Sequence, residues 1–332
     1  MILPFLNGLL NPRLIPMTFF LVIINIICFA STFSDYMHLE KEIDQILKEP
    51  TFLATQGAAF AEMIDNKPNI FTATLQKLAQ QSKGGMREVR RTLGAMALRN
   101  VEFMSQAMVY DFKGDDVALF VWREQLRKLQ SLQSEHPSYQ WGITSFHNDF
   151  LHMLTYQFTH SGFMHLFWNM FFLLVFGGFI EVSLGPWVVC GVYLLSGLIG
   201  AWSFSMLSGI SPSPLVGASG SISGMIGLVA FGWLGRGRLR YIYGLLPVRG
   251  YYGYAFFPSW LVLIALVLPD VSGYIASVPE IGSVAYAAHL GGVAFGGGAA
   301  MLLRFFGKHQ FLLVDHNRFD KVLHPVGVKR AS

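Results

Sequence analysis

Charge is what this sequence has least of. Asp, Glu, Lys and Arg make up only 13% of its 332 residues, about half the share of a soluble globular chain. Cysteine is nearly absent: Cys28 and Cys190 both fall inside apolar runs. A pair so placed excludes a disulfide framework and a cysteine zinc site, and both read as small buried hydrophobes. No basic run is interleaved with stacking aromatics, so nucleic acid is excluded as a partner. The formal net charge of +4 needs only the basic inner loops common to membrane proteins.

Apolar residues fill the space that charge leaves. They form 53% of the chain, aromatics alone 14%, and mean hydropathy is positive. This composition indicates a multi-pass membrane protein lying in a lipid bilayer. Six runs of the length a ~30 Å hydrocarbon slab requires are expected to span: roughly 14–33, 158–180, 187–207, 219–234, 251–268 and 282–306. Pro186, the Pro212/Pro214 pair and Pro269 punctuate the joins. The first run is longer than the core of a signal peptide and is retained as an anchor. The expected class is therefore all-α: a six-helix membrane bundle.

Residues 34–150 differ in character. Charges are dense and nearly balanced, and Gly57, Pro68, Gly84–Gly85, Gly114 and Pro137 cut the stretch into pieces. Trp122, Leu126 and Leu129 form a helical stripe, with Glu124 and Lys128 as an i,i+4 pair; Val89, Leu93 and Met96 form another. This is a mostly helical soluble insertion without nucleotide, metal or nucleophile motifs. The expected organisation is thus an anchor (1–33), the insertion (34–150), a membrane core (151–306) and a tail (307–332). With the N-terminus inside, Arg13, Arg236, Arg238, Arg240, Arg249 and the basic tail all fall on one side. By the positive-inside rule both termini are cytoplasmic and the insertion faces out.

Polar residues inside the spanning runs are the remaining anomaly. Thr159–Phe172 reads THSGFMHLFWNMFF, with His165 and Asn169 four apart on one helical face. Ser219 sits in GASGSISG, and His289 in AYAAHLGG. Given the orientation above, all four lie at one depth, in the outer half of the membrane. Each alone has a structural explanation: a membrane serine bonds its own backbone or eases helix packing, and a histidine packs or lines a pore. His152, His160, His165 and His289 could in principle ligate a metal, but no HExxH spacing supports one. Together they suit acyl transfer: His289 as base for a Ser219 nucleophile, with His165, Asn169 and the Ser219 amide as oxyanion donors. No carboxylate is expected at mid-membrane to orient His289, so the pair reads as a dyad, without cofactor or metal.

These residues resemble the motifs of the rhomboid intramembrane serine proteases. The family pattern HxxxxHxxxN reads His160–His165–Asn169 here, GxSG reads Gly217–Ala218–Ser219–Gly220, and AHxxG reads Ala288–His289–Leu290–Gly291–Gly292. Gly177–Gly178 and Glu181, in GGFIE, match the family's glycine pair and glutamate. The resemblance covers ~151–306. It implies that Ser219 is the nucleophile, His289 the base, and His165 and Asn169 oxyanion stabilisers. It gives His160 and Glu181 structural roles, and Gly217, Gly220 and Gly292 belong to the site's frame. Two positions depart from the family: Leu151–His152 stand where many members carry Trp-Arg, and Ser223 where some carry an aromatic. The implied substrates are transmembrane proteins cut near the outer face, and the implied location is a bacterial inner membrane. Competing readings are a rhomboid-like pseudoprotease, expected to lack the serine or histidine, and a transporter or channel, expected to show paired discontinuous helices. The sequence names neither a substrate nor an oligomeric state.

Overall fold

The computed structural model describes residues 2–4, 11–84, 86–144, 147–207, 214–233, 238–244, 252–276 and 285–306. Gly85, Pro212, Arg236, Arg249, the expected span ends at 234, 251 and 282, and the 307–332 tail lie outside the described residues.

The chain between Pro16 and Pro50 contains no other proline and no glycine, and it forms one helix, α1 (Pro16–Lys48). At 1.5 Å per residue its 33 residues reach about 50 Å. Its first half turns Phe20, Ile23 and Ile27 outward and buries Thr18, Leu21, Val22, Asn25 and Phe29. Its second half buries Leu39, Ile43 and Ile46 in the insertion. The expected boundary at residue 33 therefore falls inside a continuous helix.

The insertion folds as α2 (Pro50–Asn66), α3 (Ala73–Lys83), α4 (Arg87–Ala97), α5 (Val101–Gln106), α6 (Asp116–Glu135) and α7 (Pro137–Trp141). Side-chain N-caps start several of them: Asn100 accepts from Phe103 N at 2.8 Å, and Asp115 accepts from Val117 N at 2.8 Å. The stripe expected on α6 is present, with Trp122, Leu126 and Leu129 buried against Phe52, Phe60 and Phe103. Two details differ. Gly57 does not break the chain; it lies within α2, where a Cβ would strike the Arg90 carbonyl of α4. Glu124 pairs with Arg127, while Lys128 reaches Glu42 of α1 at 3.4 Å, because packing on α1 offers Lys128 a nearer acid.

After α8 (Phe150–Thr155), the membrane core is built from α9 (Phe163–Phe172), a π-helical turn (Leu173–Gly177), α10 (Gly178–Leu184), α11 (Pro186–Leu207), α12 (Ser219–Gly232), α13 (Leu261–Ala276) and α14 (Tyr286–Phe306). Among the described residues four helices, not the expected six, are long and apolar enough to cross: 16–48, 163–184, 186–207 and 286–306. α12 is apolar but has only 14 residues, and α13 has 16. The helical class stands, with one addition. Residues 252–258, expected to open the fifth span, form strand β3, which pairs antiparallel with β2 (Arg238–Gly244). β2 also pairs with β1 (Ile2–Pro4). The run YGYAFF is rich in aromatics that favour a pleated strand, and α13 starts only beyond Pro258.

α12 is the centre of the core, buried along nearly its whole length. Gly292 and Gly296 let α14 touch it backbone to backbone: a Cβ on Gly292 would run into the Gly220 carbonyl, and one on Gly296 into that of Gly224. Glu181, buried on α10, holds the start of α1. Its carboxylate accepts from Met17 N at 2.8 Å, Thr18 N at 2.7 Å and Thr18 Oγ1 at 2.7 Å. An acid at a helix N-terminus meets the unpaired amides and the positive end of the dipole.

Candidate active site

Helix α12 opens at Ser219, so the Ser219 amide is among the four N–H groups that a helix start leaves without an intrahelical partner. Gly217, two residues earlier, has φ +114°, a conformation costly for any side-chain-bearing residue. The same position presses on His165: a Cβ there would stand 2.7 Å from its Cε1 and 2.8 Å from its Nε2. The approach to Ser219 is fixed on two sides. Gly217 N donates to Tyr156 O at 2.9 Å, and Leu215 exchanges backbone hydrogen bonds with Ile143 at 2.8 and 3.0 Å.

Three sequence motifs, on α9, α12 and α14, meet at this point. His289 Nε2 lies 2.8 Å from Ser219 Oγ. His165 comes within contact of Gly217, and Asn169 stands one turn further along α9. Asn169 Nδ2 spends one N–H on the His165 carbonyl, at 2.9 Å, which leaves its second N–H to spare. His165 Nδ1 faces Ser161, 2.9 Å from its Oγ and 3.4 Å from its backbone N. A backbone N–H can only donate, so Nδ1 is the acceptor and Nε2 carries the ring proton toward Gly217. His160 is buried edge-to-face against His165, with centroids 5.3 Å apart. Glu181 lies on α10, where it caps α1 and takes no part in this cluster.

One expectation is overturned. The sequence predicts no carboxylate beside His289, yet its Nδ1 lies 3.0 Å from Asp270 Oδ1 on α13. By hydropathy the fifth apolar run ends at 268; α13 instead passes through Pro269 and carries Asp270 into the bundle. A signal was present, since Asp270 is the only acidic residue between Glu181 and Glu280. An ionised carboxylate only accepts, so Nδ1 bears the proton and the Nε2 lone pair faces Ser219.

The departures from the family pattern lie outside this cluster or fill it quietly. His152 stacks on His147, 4.6 Å between centroids, and reaches Gln140 O at 3.2 Å; Ser223 is buried within α12. Among the described residues no group of three or more His, Cys, Asp or Glu side chains is placed to hold a metal ion.

Residues 147–305 match the Rhomboid domain family. No curated protein matches the chain significantly.

Proposed function

Since residues 147–305 constitute a rhomboid domain, we propose that this multi-pass membrane protein is a serine endopeptidase that cuts transmembrane segments of other proteins. The observation that carries the proposal is the 2.8 Å approach of His289 Nε2 to Ser219 Oγ. Ser219 Oγ attacks the scissile carbonyl while its proton passes to His289 Nε2. The carbonyl oxygen becomes an oxyanion, met by the Ser219 amide, His165 Nε2–H and the spare Asn169 N–H. His289 then delivers its proton to the leaving amine, and water hydrolyses the acyl-enzyme by the reverse route.

A helix hides its carbonyls in i→i−4 bonds, so a substrate segment must fray before it can be attacked. The family pattern adds a small residue before the cut and a cut near the outer face. The one-sided arginines, among them Arg13, Arg238 and Arg240, support an outward-facing site with both termini in the cytoplasm. Cysteines placed in the insertion should then react with an impermeant thiol reagent added outside, while one at Arg240 should not; the reverse pattern would refute the orientation.

The test of the reaction is Ser219→Ala. In bilayers or detergent it should lose cleavage of a fluorogenic transmembrane peptide and labelling by a fluorophosphonate. Cleavage that survives in the variant would remove Ser219 as nucleophile.

A further inference from the structure

We propose that Asp270 is a positioning residue for the proteolytic reaction, converting the serine–histidine pair into a three-residue relay that includes helix α13. The inference rests on the proposed protease reading and adds a residue that the sequence motifs do not contain. Two independent observations carry it. The first is the Asp270 Oδ1 to His289 Nδ1 distance of 3.0 Å, on the side of the ring opposite Ser219. The second is how α13 is brought there. A Cβ at Gly273, one turn beyond Asp270, would collide with the ring of Tyr286, one turn before His289. The two helices therefore meet at paired contacts, Gly273 with Tyr286 and Asp270 with His289, which fix their register.

Chemistry favours a functional role for this carboxylate. An acidic side chain within an apolar bundle is costly unless paired, and Asp270 is only 18% exposed. Its immediate neighbours are Leu268, Pro269 and Val271. Pro269, one residue earlier, lies inside the helix and has no N–H to donate. With Nδ1–H donated to Asp270, the imidazole cannot flip its nitrogens, and Nε2 stays available to the serine. When Ser219 Oγ bonds to the substrate carbonyl, its proton moves to Nε2. Asp270 remains ionised and faces the resulting imidazolium, and the proton leaves with the amine product. The aspartate takes up no proton at any step.

The experiment compares Asp270→Asn, Asp270→Glu, Ser219→Ala and the unaltered full-length protein, all reconstituted. Peptide cleavage gives kcat and KM, and fluorophosphonate labelling gives the reactivity of Ser219 without any substrate. Asn is nearly isosteric, but its amide favours the wrong tautomer. Asp270→Asn should lower kcat by about 10²–10⁴-fold with KM within about threefold of the parent, and labelling should slow in parallel. Asp270→Glu keeps the carboxylate and should retain clearly more activity than the Asn variant, with rates scaled to folded protein. The proposal is overturned by an Asn variant with parental kcat, by a loss confined to KM, or by a Glu variant as impaired as the Asn one. A parent that resists labelling, or a Ser219→Ala protein that still cleaves, would instead refute the protease reading itself. Rapid labelling of both the parent and Asp270→Asn would refute only the role of Asp270.

Discussion

Substituting Gly217 by Ala separates backbone strain from damage to the proposed oxyanion pocket. The methyl group has two consequences. It forces an L-residue to keep φ +114°, which costs of order 1–3 kcal/mol. It also places a carbon 2.7 Å from His165 Cε1, roughly 0.8 Å inside an optimal contact of about 3.5 Å. The His165 ring is held from behind by Ser161, so it must shift or rotate away from its contact with Ser161 Oγ at 2.9 Å. The loss of one oxyanion donor costs about 10²–10³ in turnover, and Gly217→Ala should approach that figure. Gly185 supplies the control: its φ is +95°, yet no atom lies within 4 Å of a Cβ built there. Gly185→Ala carries comparable strain without touching the site. Gly217→Ala should lose at least as much thermal stability as Gly185→Ala, and only Gly217→Ala should lose cleavage and labelling. Equal activity in the two, whether kept or lost, would refute the argument that Gly217 sets the position of His165.

Three further outcomes are expected. His165→Ala should lower kcat by about 10²–10³ without unfolding the protein; parental turnover would assign the ring to packing. Glu181→Gln replaces an acceptor of two amides and a hydroxyl with a group that must point one donor at donors. The loss should be about 2–3 kcal/mol, read as a lowered midpoint in detergent unfolding, and an unchanged midpoint would leave the cap without weight. His136, which caps α7 by accepting from Ser138 N at 3.2 Å, is pushed down from 6.5 to about 4 by burial. Its folded pKa lies below its unfolded one, so between those values the unfolded chain holds the extra proton. The insertion should keep its full stability above about pH 6.5 and lose stability progressively down to about pH 4. Amide exchange of α6 and α7 at pH 7.5 and 5 checks this, and His136→Asn should flatten the difference.

The residues that meet at Ser219 were legible because each carries its own anomaly: a polar side chain inside an apolar run needs a reason wherever it appears. His165, Asn169, Ser219 and His289 were found on that ground. Asp270 was missed although it obeys the same logic, because Pro269 beside it looked like the end of a span and moved the acid, on paper, into a loop. The strand at 252–258 was missed for a related reason. Hydropathy does not distinguish an aromatic strand from the start of a membrane helix, and only the pairing with residues 238–244 decides the matter. The insertion was read correctly as helical from Trp122, Leu126 and Leu129. Its Gly57 was misread, since a glycine that allows two helices to touch looks the same in one dimension as a glycine that ends one. The continuity of α1 could have been seen in the absence of any breaker from 17 to 49; the change from lipid-facing to charged residues concealed it.

That continuity gives the insertion a helical phase. A domain attached through a slack linker faces wherever diffusion turns it, and residues can be added to the linker at little consequence. Here the span and the first wall of the insertion are one α-helix. One residue inserted near position 34 would raise the distal half by about 1.5 Å and rotate it by about 100° about the helix axis. The far end of the insertion is held separately, through Ile143 on Leu215. The direction in which the insertion faces is thus written as a residue count, and a homologue could tolerate insertions in α1 most easily in near-whole turns of seven or eleven residues.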